Sequence, residues 1–271
     1  GILPVLHDWV LGERRIQTLD TMGHNWWSAI VFGAGIGALA AQLAARLPLA
    51  GGDAAQVAGL MRRGQAVIGE PQIVFARGQD TLSDLAREYG LGYDEIVAAN
   101  PGVDPWLPGE GKPIVLPTQY VLPAGERSGV VLNVATRRLF YFPAIAEGEA
   151  PYVLTYPIGI GRVGWETPVG RTTVVAKAKD PSWWPPASVR REHAELGDPL
   201  PSVVPPGPDN PLGHRVLKLD MPGYLIHGTN QPYGVGMRVS HGCVRLYPEN
   251  IELLYELVEV GELVTIINEP Y

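Results

Sequence analysis

The residues able to do covalent chemistry gather in one stretch, Val239-Ser-His-Gly-Cys-Val-Arg-Leu246, with His227-Gly-Thr229 upstream. Cys243 is the only cysteine in 271 residues. A thiol attacks only as the thiolate, and imidazole is the side chain best suited to take its proton near neutral pH. His227 and His241 are both near enough in sequence for that role, and spacing does not rank them. Gly242 lets the backbone bend, so the Gly242 and Cys243 amides can face a developing oxyanion. Arg245, and with it Arg238, offers the planar fork that suits a carboxylate. Nucleophile, base, oxyanion donors and carboxylate anchor together make a set for acyl transfer.

Two other readings fit the same letters. Val244 and Leu246 suit a core strand in which Cys243 is a small buried hydrophobe. His227, His241 and Cys243 could instead hold a metal, although H-x-C is not among the usual ligand pairs and the set lacks a fourth member. No metal and no cofactor is expected.

The pattern His227-Gly-Thr229, then Ser240-His-Gly-Cys-Val-Arg245, resembles the signature of the YkuD-type L,D-transpeptidase catalytic domain, closest to its ErfK/YbiS branch. The resemblance runs over 129–268 and includes Tyr156-Pro-Ile-Gly-Ile-Gly-Arg162 and Trp165-Glu-Thr-Pro-Val-Gly-Arg171. It implies that Cys243 forms a thioester with the third residue of a peptidoglycan tetrapeptide stem, releasing D-alanine. The acyl group would pass to an amine of another stem or to a lysine of an anchored lipoprotein. It further implies that His227 is the base, with the Gly228 carbonyl orienting its ring, and that His241 shapes the oxyanion region. Ser240 and Thr229 join Arg245 and Arg238 as substrate contacts. Hydrolysis of the same acyl-enzyme and an inert glycan-binding protein are the competing functions.

The elements that must position these residues read as mainly β, α+β overall. Val130–Val134 and Arg138–Phe142 form a hairpin, Tyr152–Ile158, Thr172–Ala176, Val216–Leu219 and Tyr224–Ile226 are strands, and Leu263–Ile267 closes the domain. A helix opens at Pro248 with Ile251, Leu254, Tyr255 and Val258 on one face. Gly159-Ile-Gly-Arg-Val-Gly164 has the letters of a dinucleotide fingerprint, but Trp-Glu-Thr-Pro follows where a helix should begin. Those glycines are expected to let a loop pass close to a neighbouring strand or to substrate. The segment 180–211 is too rich in proline for regular structure beyond a turn near Val189–Leu196, and is expected to wall the thiol, with Trp183 or Trp184 against substrate.

Upstream, 73–118 reads as strand, helix, helix, strand, with Asp80 or Thr81 capping the first helix. Its Gly78-Gln-Asp-Thr-Leu82, Ala86-x-x-Tyr89 and Ala98-x-Asn-Pro101 resemble a LysM module, which implies binding of glycan strands. Residues 1–72 form an extension. Within it, 26–45 is an uncharged apolar run suited to a signal segment or a membrane anchor, and Gly51–Gln72 reads as a linker or short amphipathic helix. Either form of the apolar run places the chain in the cell envelope, in the periplasm. A net charge of −7 argues against nucleic acid as a partner.

Overall fold

The computed structural model describes residues 65–147 and 151–271, together with the backbone of 17–18 and 57–60. The apolar 26–45 segment lies outside the described residues, and no described helix is long and apolar enough to cross a membrane. Contacts divide the chain into two units.

The smaller unit contains strands β1 (Val67–Gly69) and β2 (Gln72–Phe75), helices α1 (Leu82–Glu88) and α2 (Tyr93–Ala99, within the unit from Glu95), and strands β3 (Pro113–Leu116) and β4 (Gln119–Val121). The 51–72 region therefore includes strand rather than helix, at Val57–Leu60 and at β1. β2 pairs antiparallel with β3, and β1 with β4. Thr81, not Asp80, caps α1, in a reciprocal box with Asp84. Asp80 instead accepts from the Arg77 amide at 2.6 Å. Asn100 fastens α2 to β3: its Nδ2 donates to the Ile96 and Val115 carbonyls, and its Oδ1 accepts from the Val115 amide, all at 2.8 Å.

The larger unit is built on a curled sheet. Its strands are β5 (Gly129–Asn133), β6 (Arg138–Phe142), β7 (Tyr152–Pro157, within the unit from Thr155), β8 (Ile160–Gly161), β9 (Gly170–Lys179), β10 (Arg215–Leu219), β11 (Leu225–His227), β12 (Arg238–Ser240), β13 (Val244–Arg245) and β14 (Leu263–Ile267). Helices α3 (Ala187–Glu195) and α4 (Pro248–Leu257) complete it. Neighbours in the main sheet run β13-β11-β10-β9-β14-β5-β6-β7, and β8 pairs separately with β12. The hairpin expected from 130–142 is present, with Asn133 opposite Arg138. β14 closes the sheet parallel to β5, Val264 beside Val130.

Every residue of β5 and β6 is buried, so these strands carry Val, Leu and Phe rather than an alternating pattern. Leu132, Leu139 and Phe140 are each at most 1% exposed and contribute roughly 1.5–3 kcal/mol apiece. α4 lays Ile251, Leu254 and Tyr255 inward, and the Tyr141 hydroxyl donates to the Leu257 carbonyl at its end.

The proline-rich segment is more ordered than its composition suggests. α3 runs through it, Trp183 and Val204 exchange a pair of 2.8 Å backbone bonds, and buried Asn210 donates to the carbonyls of Pro181, Val204 and Pro205. One fully buried amide thus supplies the donors that the prolines lack.

Candidate active site

The site begins with register. β13 runs parallel to β11, Ile226 beside Val244 and His227 beside Arg245. Side chains alternate along a strand, so Val244 and Leu246 turn into the core, at 2% and 0% exposure, while Arg245 shares the other face with His227. Cys243, immediately before β13, falls on that same face. The β13 backbone is clasped on both sides: Arg245 and Gly159 exchange hydrogen bonds of 2.9 and 2.8 Å, and the Leu246 amide donates to the His227 carbonyl at 2.9 Å.

His227 is 3% exposed. Its Nδ1 lies 2.6 Å from the Gly228 carbonyl oxygen, which can only accept, so Nδ1 carries the proton and Nε2 presents a lone pair. Burial, aided by the Arg245 charge, pushes the imidazole from 6.5 down to about 3. Burial likewise raises the Cys243 thiol above its ordinary value, against the pull of the Leu225 amide and Arg245. Thiol and imidazole therefore rest as a neutral pair. The thiol donates to the Gly223 carbonyl at 3.6 Å rather than to either ring. Arg245 is half-buried, and its Nε has no acceptor among the described residues.

A stability consequence follows from His227. An unfolded histidine binds a proton below 6.5, whereas this one does so only near 3, so the unfolded state holds the extra proton across that window. Stability is lost as pH falls through it, by about 3 kcal/mol near pH 4.5. Urea midpoints at pH 7 and 4.5 should separate less for His227→Gln than for the parent.

The loop between β12 and β13 is set by hydrogen bonds that spacing does not reveal. The Ser240 hydroxyl donates to the Cys243 carbonyl at 2.6 Å and accepts from the Gly242 amide at 3.2 Å, so a side chain expected to touch substrate closes the loop instead. The same bond engages the Gly242 amide expected as an oxyanion donor. Cys243 keeps an amide with no acceptor among the described residues. Thr229 is also internal: it is 4% exposed, and its hydroxyl accepts from the Gln231 amide at 2.9 Å to close a turn. Gly242 has φ +103, and a Cβ there would stand 2.9 Å from the Tyr224 ring.

The glycine-rich stretch packs against this loop. A Cβ on Gly161 would reach within 1.9 Å of the Trp165 carbonyl oxygen and 3.0 Å of the Gly242 Cα, so only glycine fits. The Arg162 amide donates to the Ser240 carbonyl, and the Thr167 hydroxyl to that of Gly242. That is the close strand passage expected of these glycines.

His241 points elsewhere. Its Nε2 lies 2.7 Å from Glu192 Oε2 on α3, Arg162 contacts the other carboxylate oxygen, and the Trp165 ring stands nearly perpendicular to the imidazole with the ring centroids 4.9 Å apart. With the His227 Nδ1 turned to Gly228, the three side chains weighed as a metal set do not converge, and no metal-ligating trio forms among the described residues. Arg238 is exposed on β12; the Gly164 amide above all, and Arg238 only weakly, lowers the Glu166 carboxyl. Trp183 is held by its backbone pair with Val204, and Trp184 is 67% exposed. Glu192, not either tryptophan, carries the described side-chain hydrogen bond from the 180–211 segment to the nucleophile's loop. Glu192 and Arg162 were not among the expected site residues; the only sequence hint is an acid in a segment otherwise dominated by proline.

A thiol, a buried and oriented imidazole and a guanidinium whose Nε has no acceptor among the described residues are the parts a thiol-based acyl transfer needs. The YkuD family, described as the L,D-transpeptidase catalytic domain, matches residues 127–266, and the chain belongs to that family. The Probable L,D-transpeptidase YbiS of Escherichia coli K12 is 43% identical over 210 residues, covering 76% of this chain and 67% of the relative. The Probable L,D-transpeptidase YcfS of the same strain is 42% identical over 212 residues, covering 76% and 65%. The Probable L,D-transpeptidase ErfK/SrfK of Salmonella typhimurium LT2 is 43% identical over 210 residues, covering 76% and 66%. The chain thus spans about two thirds of the length of these relatives. Among solved structures, the Ldtfm-avibactam carbamoyl enzyme matches at 22% identity and TM-score 0.40, over 58% of this chain and 55% of that one.

Proposed function

We propose that the chain is a peptidoglycan L,D-transpeptidase working through a thioester on Cys243. The observation that carries this reading is the β11–β13 register, which sets His227, Arg245 and Cys243 on one face with the imidazole locked by Gly228. Because thiol and imidazole rest neutral, the proton leaves sulfur as sulfur attacks, passing to His227 Nε2. The carbonyl of the third stem residue becomes tetrahedral, with its oxyanion on the Cys243 amide. The C–N bond to terminal D-alanine breaks, and the departing amine takes the proton from His227. A second amine then attacks the thioester, gives its proton to His227, and the C–S bond breaks to restore the thiol.

Arg245 anchors a stem carboxylate in this account. Its Nε is buried with no acceptor among the described residues, and a charge-assisted pair with a carboxylate would supply one. Arg238, exposed nearby in sequence, is a second candidate anchor for the stem. The smaller unit holds glycan strands, the acceptor is a diaminopimelate amine or a lipoprotein lysine, and the enzyme works in the periplasm.

Incubating the protein with a tetrapeptide-bearing muropeptide should release D-alanine, mass-label Cys243 as the tripeptide thioester and yield cross-linked dimers. Trimmed stems without cross-links would identify a hydrolase instead.

A further inference from the structure

His241, two residues before the nucleophile, is itself held by another part of the chain. Its Nε2 stands 2.7 Å from Glu192 Oε2 and 3.2 Å from Arg162 Nη2. Arg162 can only donate, and it contacts the other carboxylate oxygen, Oε1. A single arrangement satisfies all three groups: His241 Nε2–H donates to one oxygen of Glu192 and Arg162 to the other. The 3.2 Å approach between the two donors is then tolerated because the anion lies between them. Arg162, and after it His241, hold the Glu192 carboxyl below its ordinary range, so it is ionised at neutral pH.

The other contacts converge on the same loop. Trp165 packs nearly perpendicular to the His241 ring, the Arg162 amide holds the Ser240 carbonyl, and Thr167 holds the Gly242 carbonyl. The loop is thus gripped at two of its carbonyls by the 161–167 segment and at its histidine by the Glu192 carboxylate of α3. α3 belongs to a segment stiffened separately by Asn210. His193, next on α3, has its ring 6.3 Å from that of His241 and turns its Nδ1 to Asp198 at 3.4 Å, leaving Glu192 as the carboxylate hydrogen-bonded to His241.

We propose that Glu192 is a positioning residue for the transferase reaction: its carboxylate, shared between His241 and Arg162, couples the proline-rich segment to the loop that aims Cys243. This rests on Cys243 being the nucleophile. Glu192 reaches the reacting atoms only through His241, so its effect belongs to the orientation of bound substrate and thiol, where displacements of about 1 Å change rates up to a hundredfold.

The test is a double-mutant cycle read in three ways. Glu192→Gln keeps size and loses the charge that accepts from both donors; His241→Asn removes the Nε2 donor. Each should lower the maximal rate of Cys243 acylation by the tetrapeptide stem about tenfold or more, and the double variant should fall no further than the worse single variant. Iodoacetamide, which needs no orientation, should alkylate Cys243 at the parental rate in all of them. Ring 15N shifts should show Nε2 protonated in the parent, with altered shifts in Glu192→Gln. Additive losses, a parental acylation rate in Glu192→Gln, or an unprotonated Nε2 in the parent would each overturn the proposal. If the parent itself takes no acyl group, the nucleophile reading fails instead, and the ring shifts still report the Glu192–His241 contact.

Discussion

His227→Gln lowers the rate at which a tetrapeptide stem acylates Cys243 by a hundredfold to ten-thousandfold, the usual contribution of a positioned general base, about 3–5 kcal/mol of barrier. The size of the effect follows from the resting state. Burial holds the imidazole near 3 and raises the thiol, so the proton cannot cross to nitrogen before substrate arrives. A base that acts only during attack is worth most when the nucleophile is otherwise protonated. Glutamine fills similar space and can still donate to the Gly228 carbonyl, but offers no basic nitrogen. Stopped-flow or mass-resolved acylation checks the rate. A variant within threefold of the parent would remove His227 from the proton path and leave His241 as the candidate.

Cys243→Ala abolishes adduct formation with either the stem or a carbapenem, a loss of about ten-thousandfold or more on the scale of nucleophile deletions. The pH profile is the sharper part of this expectation. A thiol raised by burial and an imidazole lowered by it give no ion pair, so alkylation by iodoacetamide should climb through the neutral range with no plateau below the ordinary thiol value of 9.0. No inflection should appear near the ordinary histidine value of 6.5, because His227 stays neutral there. A plateau reaching down to mildly acidic pH would mean a preformed thiolate–imidazolium pair and a different order of proton transfer.

Residue type and strand parity made much of this site readable before any coordinates. Cys243, His227 and Arg245 were legible because nothing in a core strand needs a thiol, an imidazole and a guanidinium at that spacing, and Gly228 followed from the resemblance. The hydroxyls are a different case: Ser240 and Thr229 are buried and spend their hydrogen bonds on the turns that carry them. A serine beside a nucleophile looks the same in sequence whether it serves the loop or the substrate. Gly242 bends the chain at φ +103, and its amide is the one Ser240 engages. Glu192 was invisible for another reason. The helical turn expected near Val189–Leu196 is the longer α3, but nothing in the sequence shows which strand loop its acid meets, and the Asn210 amide that orders the segment shows no pattern of its own.

The clasp around β13 has a bearing on when the enzyme first becomes competent. Gly159, His227 and Arg245 come from separate regions of the chain, yet the short nucleophile strand is bonded to the first two at once. Such distant pairings are slow to form, since each closes a long loop before it is rewarded. A nascent or half-folded chain would therefore carry Cys243 as an ordinary peptide thiol, indifferent to stems. Its ability to recognise them would arrive among the last events of maturation, keeping a covalent chemist quiet until its surroundings are complete.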